Sequence, residues 1–138
     1  MECRYLLDTN IASYAIKGKS AALDRCLVKV PMTDLAISVV TEAELRYGLA
    51  RLPQATRLNP LVEHFLLRVS VLPWNSEAAR HYALLRATLE RDGRSLGNLD
   101  LMIAAHALAS GLVLVTNDKA FSRIDKLKVE DWTKQSSH

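Results

Sequence analysis

The stretch NLDLMIAAHALASGLVLVTND, residues 98–118, decides the fold. Residues 98–110 read as a helix, and Gly111 stops it, glycine being the residue that most readily takes the left-handed turn after a helix. Leu112-Val113-Leu114-Val115-Thr116 follows as a strand that is almost wholly apolar. A strand apolar on both faces is buried on both faces, which is the condition of a parallel sheet with helices packed on each side.

Working outward, the same alternation runs through the chain. Cys3–Asp8 reads as a strand and Thr9 to about Lys17 as a short helix. Leu23, Cys26, Leu27 and Val30 have helical spacing, and Pro31 ends that helix. Leu35–Ser38 is a short strand; Thr41 then reads as a helix start, with Glu44 three residues later in capping-box register. Leu58, Leu61, Val62, Phe65, Leu66 and Val69 predict another amphipathic helix, followed by a strand over Val69–Leu72 that Pro73 closes. A long helix from Asn75 to about Arg91, a turn at Asp92-Gly93 and a possible last strand over Lys128–Trp132 complete the set. The expectation is an α/β protein of three layers, α/β/α, with a central parallel sheet, occupying residues 1–138 as a single domain.

Bulk properties agree. A chain of 138 residues, 49% apolar and 24% charged, can bury a core without disulfide staples. The two cysteines, Cys3 and Cys26, are too few for a disulfide framework and read as thiols of a reducing cytosol. No apolar run approaches the roughly 20 residues that span a bilayer, and Met1-Glu2-Cys3-Arg4-Tyr5 lacks a basic leader, so no membrane and a cytoplasmic location are expected.

In an open parallel sheet, ligands bind beyond the C-terminal ends of the strands. Asp8 ends the first strand, Asp118 lies just past the strand 112–116, Asp100 sits in the first turn of the preceding helix, and Glu44 in the first turns of the helix after the second strand. All four are therefore expected at one edge of the sheet. Each has an ordinary explanation: Asp8 as a helix cap, Asp100 and Glu44 as complements to helix dipoles, Asp118 as a turn residue. Together they make a cluster of hard oxygen donors that repel one another unless protons or cations intervene, and such donors select Mg²⁺, with Mn²⁺ as a substitute. Setting those four aside leaves 11 acidic residues against 18 basic ones, a surface suited to a polyanion.

At these residues the sequence resembles the PIN-domain nucleases, and within them the VapC toxins of toxin–antitoxin pairs. The matching pieces are Leu6-Leu7-Asp8-Thr9-Asn10, Thr41-Glu42-Ala43-Glu44-Leu45-Arg46-Tyr47-Gly48, Gly97-Asn98-Leu99-Asp100 through Ala107, and Leu114-Val115-Thr116-Asn117-Asp118, with Val129-Glu130-Asp131-Trp132 resembling the family's ending. The resemblance implies that Asp8, Glu44 and Asp100 are the core metal ligands and Asp118 the fourth acid, Glu44 being favoured over Glu42 because it directly precedes the leucine of its helix. Asn10 and Thr116 would steady carboxylates or water. Many relatives carry a further acid just before the phenylalanine, where this chain has Ala120-Phe121, so the fourth position rests on Asp118 alone. The implied activity is Mg²⁺-dependent endoribonuclease cleavage of structured RNA, often tRNA. A metal-bound water attacks phosphorus in line and leaves 5′-phosphate and 3′-hydroxyl ends, which inhibits translation. The implied partners are a VapB-like antitoxin and a second copy of the chain.

Other residues are expected to be structural. His106 lies six positions after Asp100, poor spacing for a shared helix face, and Trp74 and Trp132 read as packing residues. Arg86, Arg91, Arg94, Lys17 and Lys19 read as solvated surface that could touch phosphates. Competing readings are a metal-dependent DNA or flap nuclease and a non-catalytic RNA-binding module. A receiver-like signalling domain wants an acid pair at the first strand and an Asp at the end of the third, where this chain has Leu72-Pro73-Trp74-Asn75. A dehalogenase-type phosphatase wants a second Asp two residues after Asp8, where Asn10 stands.

Overall fold

The computed structural model describes residues 3–54 and 57–134. Met1 and Glu2, with which the N-terminal reading began, lie outside the described residues. The chain runs β1 (Tyr5–Leu7), α1 (Thr9–Lys17), α2 (Ala21–Lys29), β2 (Leu35–Ser38), α3 (Val39–Arg51), α4 (Leu58–Arg68), β3 (Ser70–Leu72), α5 (Ser76–Arg91), α6 (Asn98–Ser110), β4 (Val113–Val115) and β5 (Val129–Glu130). Short 3-10 helices cover Met32–Asp34 and Lys119–Arg123. The strands form one parallel sheet in the order β3-β2-β1-β4-β5. The expected three-layer α/β architecture is what the chain adopts.

Successive strand residues point to opposite faces, so two neighbouring leucines in β1 serve two cores. Leu6 packs on one face with Ile103, Ala104, Ala107, Leu114, Phe121 and Ile124, against α5 and α6. Leu7 packs on the other with Ile11, Leu23, Ile37, Val69 and Val115, against α1, α2 and α4. Both leucines are fully buried, each burial contributing about 1.5–3 kcal/mol by apolar transfer alone. Among the described residues no helix is long and apolar enough to cross a membrane.

Strand order reverses at β1. β2 and β3 lie on one side of it, β4 and β5 on the other. The crevice at such a switch point, outside the C-terminal ends of β1 and β4, is where open parallel sheets hold ligands. Gly111 delivers β4 to that place: with φ 68° it caps α6 in the left-handed region and turns the chain straight into the strand.

Two boundaries differ from expectation in an instructive way. β1 and β4 are shorter than predicted, running Tyr5–Leu7 and Val113–Val115, with Asp8 and Thr116 just past their ends. Asp8 nonetheless stays pinned to β4, its N–H donating to the Val115 carbonyl at 3.1 Å. The start of α3 also moves: Ser38, not Thr41, is its cap, the Ser38 Oγ accepting from Val40 N at 3.0 Å. Strand β2 therefore passes into α3 without a loop, and Thr41 and Glu44 form no capping box.

Ser38 has a second task. Its Oγ lies 2.8 Å from Nδ1 of His106, which is buried on α6, and the His106 ring also bonds the Pro73 backbone. Burial holds the imidazole below its ordinary pKa, so the neutral ring accepts from the Ser38 hydroxyl. This buried bridge joins the helix carrying Glu44 to the helix carrying Asp100. Ser38→Ala removes both the cap and the ring's partner, and is expected to cost about 2 kcal/mol, seen as a fall in Tm on the order of 6 °C.

Candidate metal centre

Each candidate acid is positioned by a different element. Asp8 follows β1, and its Oδ1 accepts from Ile11 N at 2.8 Å, capping α1. The capping role is real, but it uses only part of the carboxylate. The same group bonds the hydroxyl of Thr116, which is itself buried beyond β4. Asp118 follows β4, and its carboxylate caps the Lys119–Arg123 turn through Ala120 N at 2.9 Å. Its own N–H donates to Thr116 Oγ1 at 3.0 Å. Thr116 thus touches both acids, and Asn10 Nδ2 bonds Asn117 Oδ1 at 2.9 Å across the same gap between β1 and β4. Both residues lie beside the loop ends that carry the carboxylates, Thr116 in contact with Asp8 and Asn10 with Asn117.

Glu44 is reached by a device that the spacing did not reveal. Thr9 Oγ1 donates to Glu44 Oε1 at 2.5 Å and lies 3.0 Å from the hydroxyl of buried Thr41. Thr9 and Thr41 are far apart in sequence, so only the packing of α1 against α3 brings them together. Glu42 is engaged elsewhere, by Arg46 at 2.8 Å, and Arg46 also holds Glu63 at 2.9 Å. The structure therefore separates the two glutamates: Glu42 forms a surface pair, and Glu44 faces the acids. Thr9→Val, which also leaves the buried Thr41 hydroxyl without this partner, should cost about 1–2 kcal/mol of stability and lower Mn²⁺ affinity about tenfold, with Thr9→Ser restoring both; thermal melts and titration calorimetry measure this.

Asp100, in the first turn of α6, is half-buried. Among the described residues no donor bonds its carboxylate and no cation pairs with it. Burial, then the charges of Asp118 and Glu44, raise its pKa. Asp8 is pushed up to about 6, first by burial and then by Asp100 and Asp118, against the lowering effect of its bonds to Thr116 and Ile11. Asp8 and Asp100 are thus close enough to other acids of the set to be destabilised as anions, and none of the four forms a salt bridge among the described residues. As they stand, no three His, Cys, Asp or Glu side chains among the described residues converge tightly enough to enclose an ion. The donor set still suits a hard divalent cation in its chemistry: oxygen ligands, mutual repulsion and no competing ammonium or guanidinium partner. A bound ion would have to draw the carboxylates inward.

The sequence of residues 5–127 matches the PIN-domain family model. The chain belongs to the PIN-domain family. Within that family it sits among the VapC proteins. It is 39% identical over 131 residues to the tRNA(fMet)-specific endonuclease VapC of Shigella flexneri, covering 94% of this chain and 98% of that protein. It is 36% identical over 132 residues to ribonuclease VapC2 of Rickettsia felis, with the same coverage. Among solved structures, VapBC2 from Rickettsia felis bound to a promoter DNA fragment aligns with TM-score 0.86 at 35% identity, covering 96% of this chain and 99% of that one. DNA-bound VapBC from Salmonella typhimurium aligns with TM-score 0.87 at 37% identity, covering 94% and 98%. In this PIN domain, the expected packing residues are packing residues. His106 is buried in the Ser38 bridge, Trp132 stacks edge-on against Tyr5, and Trp74 Nε1 donates to the Met102 carbonyl.

Proposed function

We propose that this PIN domain is the ribonuclease toxin of a toxin–antitoxin pair, cleaving structured RNA, tRNA foremost, in the cytoplasm and leaving 5′-phosphate and 3′-hydroxyl ends. The observation that carries the reading is the set of four carboxylates at the sheet's switch point, mutually repelling and without a counter-cation among the described residues. The names of its relatives, ribonucleases and a tRNA-specific endonuclease, support RNA as the substrate. Solved VapBC complexes of similar chains support a VapB-like antitoxin partner, and a homodimer is the building block we propose.

Asp8, Glu44, Asp100 and Asp118 would hold Mg²⁺, or Mn²⁺ in its place. A divalent cation bound there supplies a water of lowered pKa and offsets charge building on the phosphate. The chain's own contribution is placement. Ile11 N and Thr116 fix the angle of Asp8, Thr9 fixes Glu44, and Asp100 keeps both oxygens available because no donor among the described residues occupies them. Among the described residues no histidine pair stands with these carboxylates, and the buried ring of His106 bonds Ser38 and Pro73, which supports attack by water over attack by the RNA 2′-hydroxyl.

The test is incubation of the purified chain, freed of any partner, with total bacterial RNA and Mg²⁺, beside samples containing EDTA or Asp8→Asn protein. Discrete fragments with 5′-phosphates, absent from both controls, are the expected result. Intact RNA with cleaved DNA would transfer the same chemistry to a DNA or flap substrate. Stoichiometric RNA binding without any cleavage would point to a binding module.

A further inference from the structure

The four carboxylates create a problem for any nucleic-acid substrate: the scissile phosphate has to approach an acidic cluster. A cavity of about 450 Å³ adjoins that cluster, sharing Thr116 and Asp118 with it, and three cations line it: Lys119, Arg123 and Lys134. All three are exposed, and among the described residues none of them has an ion pair. That sets them apart from Arg4, Arg46, Arg80 and Arg86, each held by a neighbouring acid. The other acid in the cavity wall, Asp131, is occupied by the backbone and hydroxyl of Thr133 at 2.9 and 2.5 Å.

Arg123 is also in the wall of a second cavity of about 270 Å³, on the far side of the same turn. Leu89, Leu96 and Ile124 form its floor, and Arg94 and Ser95 stand on its rim. The turn between the two cavities is fixed. Asp118 caps its start, Phe121 and Ile124 anchor it in the core, and Arg94 Nη1 donates to the Arg123 carbonyl at 3.2 Å. A rigid backbone thus presents an uncommitted guanidinium at the junction of two nucleotide-sized hollows, one of which opens onto Asp118. Guanidinium groups recognise phosphate oxygens in pairs, and a floor of leucine and isoleucine suits a base or ribose face.

We propose that these two cavities are the track for the RNA backbone flanking the cleaved bond, with Arg123 as the residue that positions its phosphate and Lys119 and Lys134 as supporting cations. This rests on the ribonuclease reading above. Arg123 acts on substrate position and not on the reacting atoms, so its loss should appear in KM and in salt dependence.

The experiment compares wild type, Arg123→Gln, Arg123→Lys, Lys134→Gln and Arg86→Gln, the last a control whose guanidinium is held by Glu90 and Tyr82 at 3.0 Å each. Cleavage of total tRNA gives kcat and KM. Fluorescence anisotropy of a labelled RNA stem-loop on an Asp100→Asn background gives affinity from 50 to 300 mM salt, roughly the range over which phosphate contacts are screened. Arg123→Gln is expected to raise KM about tenfold, with kcat within about twofold, and to reduce the log–log salt slope by about 0.7–0.9. Arg123→Lys should keep the slope, Lys134→Gln should show a smaller change in the same direction, and Arg86→Gln should match wild type. Active wild type with KM and slope unchanged in both Arg123→Gln and Lys134→Gln overturns this inference alone. Wild type that neither binds nor cuts RNA overturns the ribonuclease reading and this inference with it. Equal melting temperatures across the series exclude unfolding as the cause.

Discussion

Asp100→Asn is expected to lower kcat/KM for RNA cleavage by about 10³-fold or more while the protein melts no lower than wild type. The two halves of that expectation have one cause. The Asp100 carboxylate is half-buried, receives no hydrogen bond from the described residues, and faces Asp118 and Glu44, whose charges raise its pKa together with burial. A group so placed opposes folding in the absence of a cation, and its neutral isostere relieves that cost. The expected activity loss is that of removing one of the proposed ligands to a divalent cation, which would contribute several kcal/mol of transition-state stabilisation, about 4 kcal/mol corresponding to 10³-fold. Residues retained against stability are the mark of a functional site. Cleavage kinetics and thermal melts in EDTA, made on the same preparations, check both halves. A mutant that loses activity only by melting earlier would remove the argument for a metal role at Asp100.

The second large effect is a pH dependence with an unusual sign for a carboxylate. Asp8 is nearly fully buried, and its pKa stands at about 6 against an ordinary 3.8. Between those values the folded protein binds more protons than the unfolded chain, so the stability contributed by Asp8 is present below pH 3.8 and is lost as pH rises to about 6. The full amplitude is about 3 kcal/mol. Asp100 acts in the same direction, whereas His106, held neutral by burial, acts oppositely by weakening the fold as pH falls below its ordinary value. Comparing wild type with Asp8→Asn isolates the first term. In EDTA at pH 7.5 the mutant should melt several degrees above wild type, and the gap should close as pH falls from about 6 to 4. Adding Mg²⁺ or Mn²⁺ should raise the wild-type Tm at pH 7.5, do little at pH 4.5 where Asp8 is protonated, and leave Asp8→Asn almost unmoved. A gap that widens on acidification would show that Asp8 is stabilised, not strained, as an anion.

The same charges suggest how a VapB-like antitoxin could act on this site. Because the described residues offer these acids no counter-cation, a partner that presents a basic side chain would offset their repulsion and compete with a bound cation. Competition between Mn²⁺ and the partner, measured by calorimetry, follows from that.

How much of this was legible in the residues themselves follows from where the information lies. Local signals are strong where hydrophobic period and chain breakers coincide. Gly111 ahead of the apolar strand, Pro31 after the second helix and Asn75 at the cap of α5 place their elements to within a residue or two. Parallel pairing followed from strands apolar on both faces, because no half-exposed sheet tolerates them. The four acids at one edge followed from topology, since loops leaving the C-terminal ends of parallel strands all emerge on the same side.

What the chain order could not decide was which polar atoms meet across long separations. Whether Ser38 or Thr41 begins α3 depends on how directly β2 runs into the helix, and both residue types cap well. That Thr9 holds Glu44, that Ser38 holds His106, and that Arg123 remains uncommitted while Arg46 is doubly paired all depend on side chains brought together by packing. Composition and spacing determined the sheet, its order of burial and the edge where the carboxylates gather, because those depend on periodicity and connectivity along one chain. Only the tertiary structure decided which of these oxygens are tied down and which have no donor among the described residues, because a hydrogen bond is a matter of a few tenths of an ångström between residues the sequence places far apart.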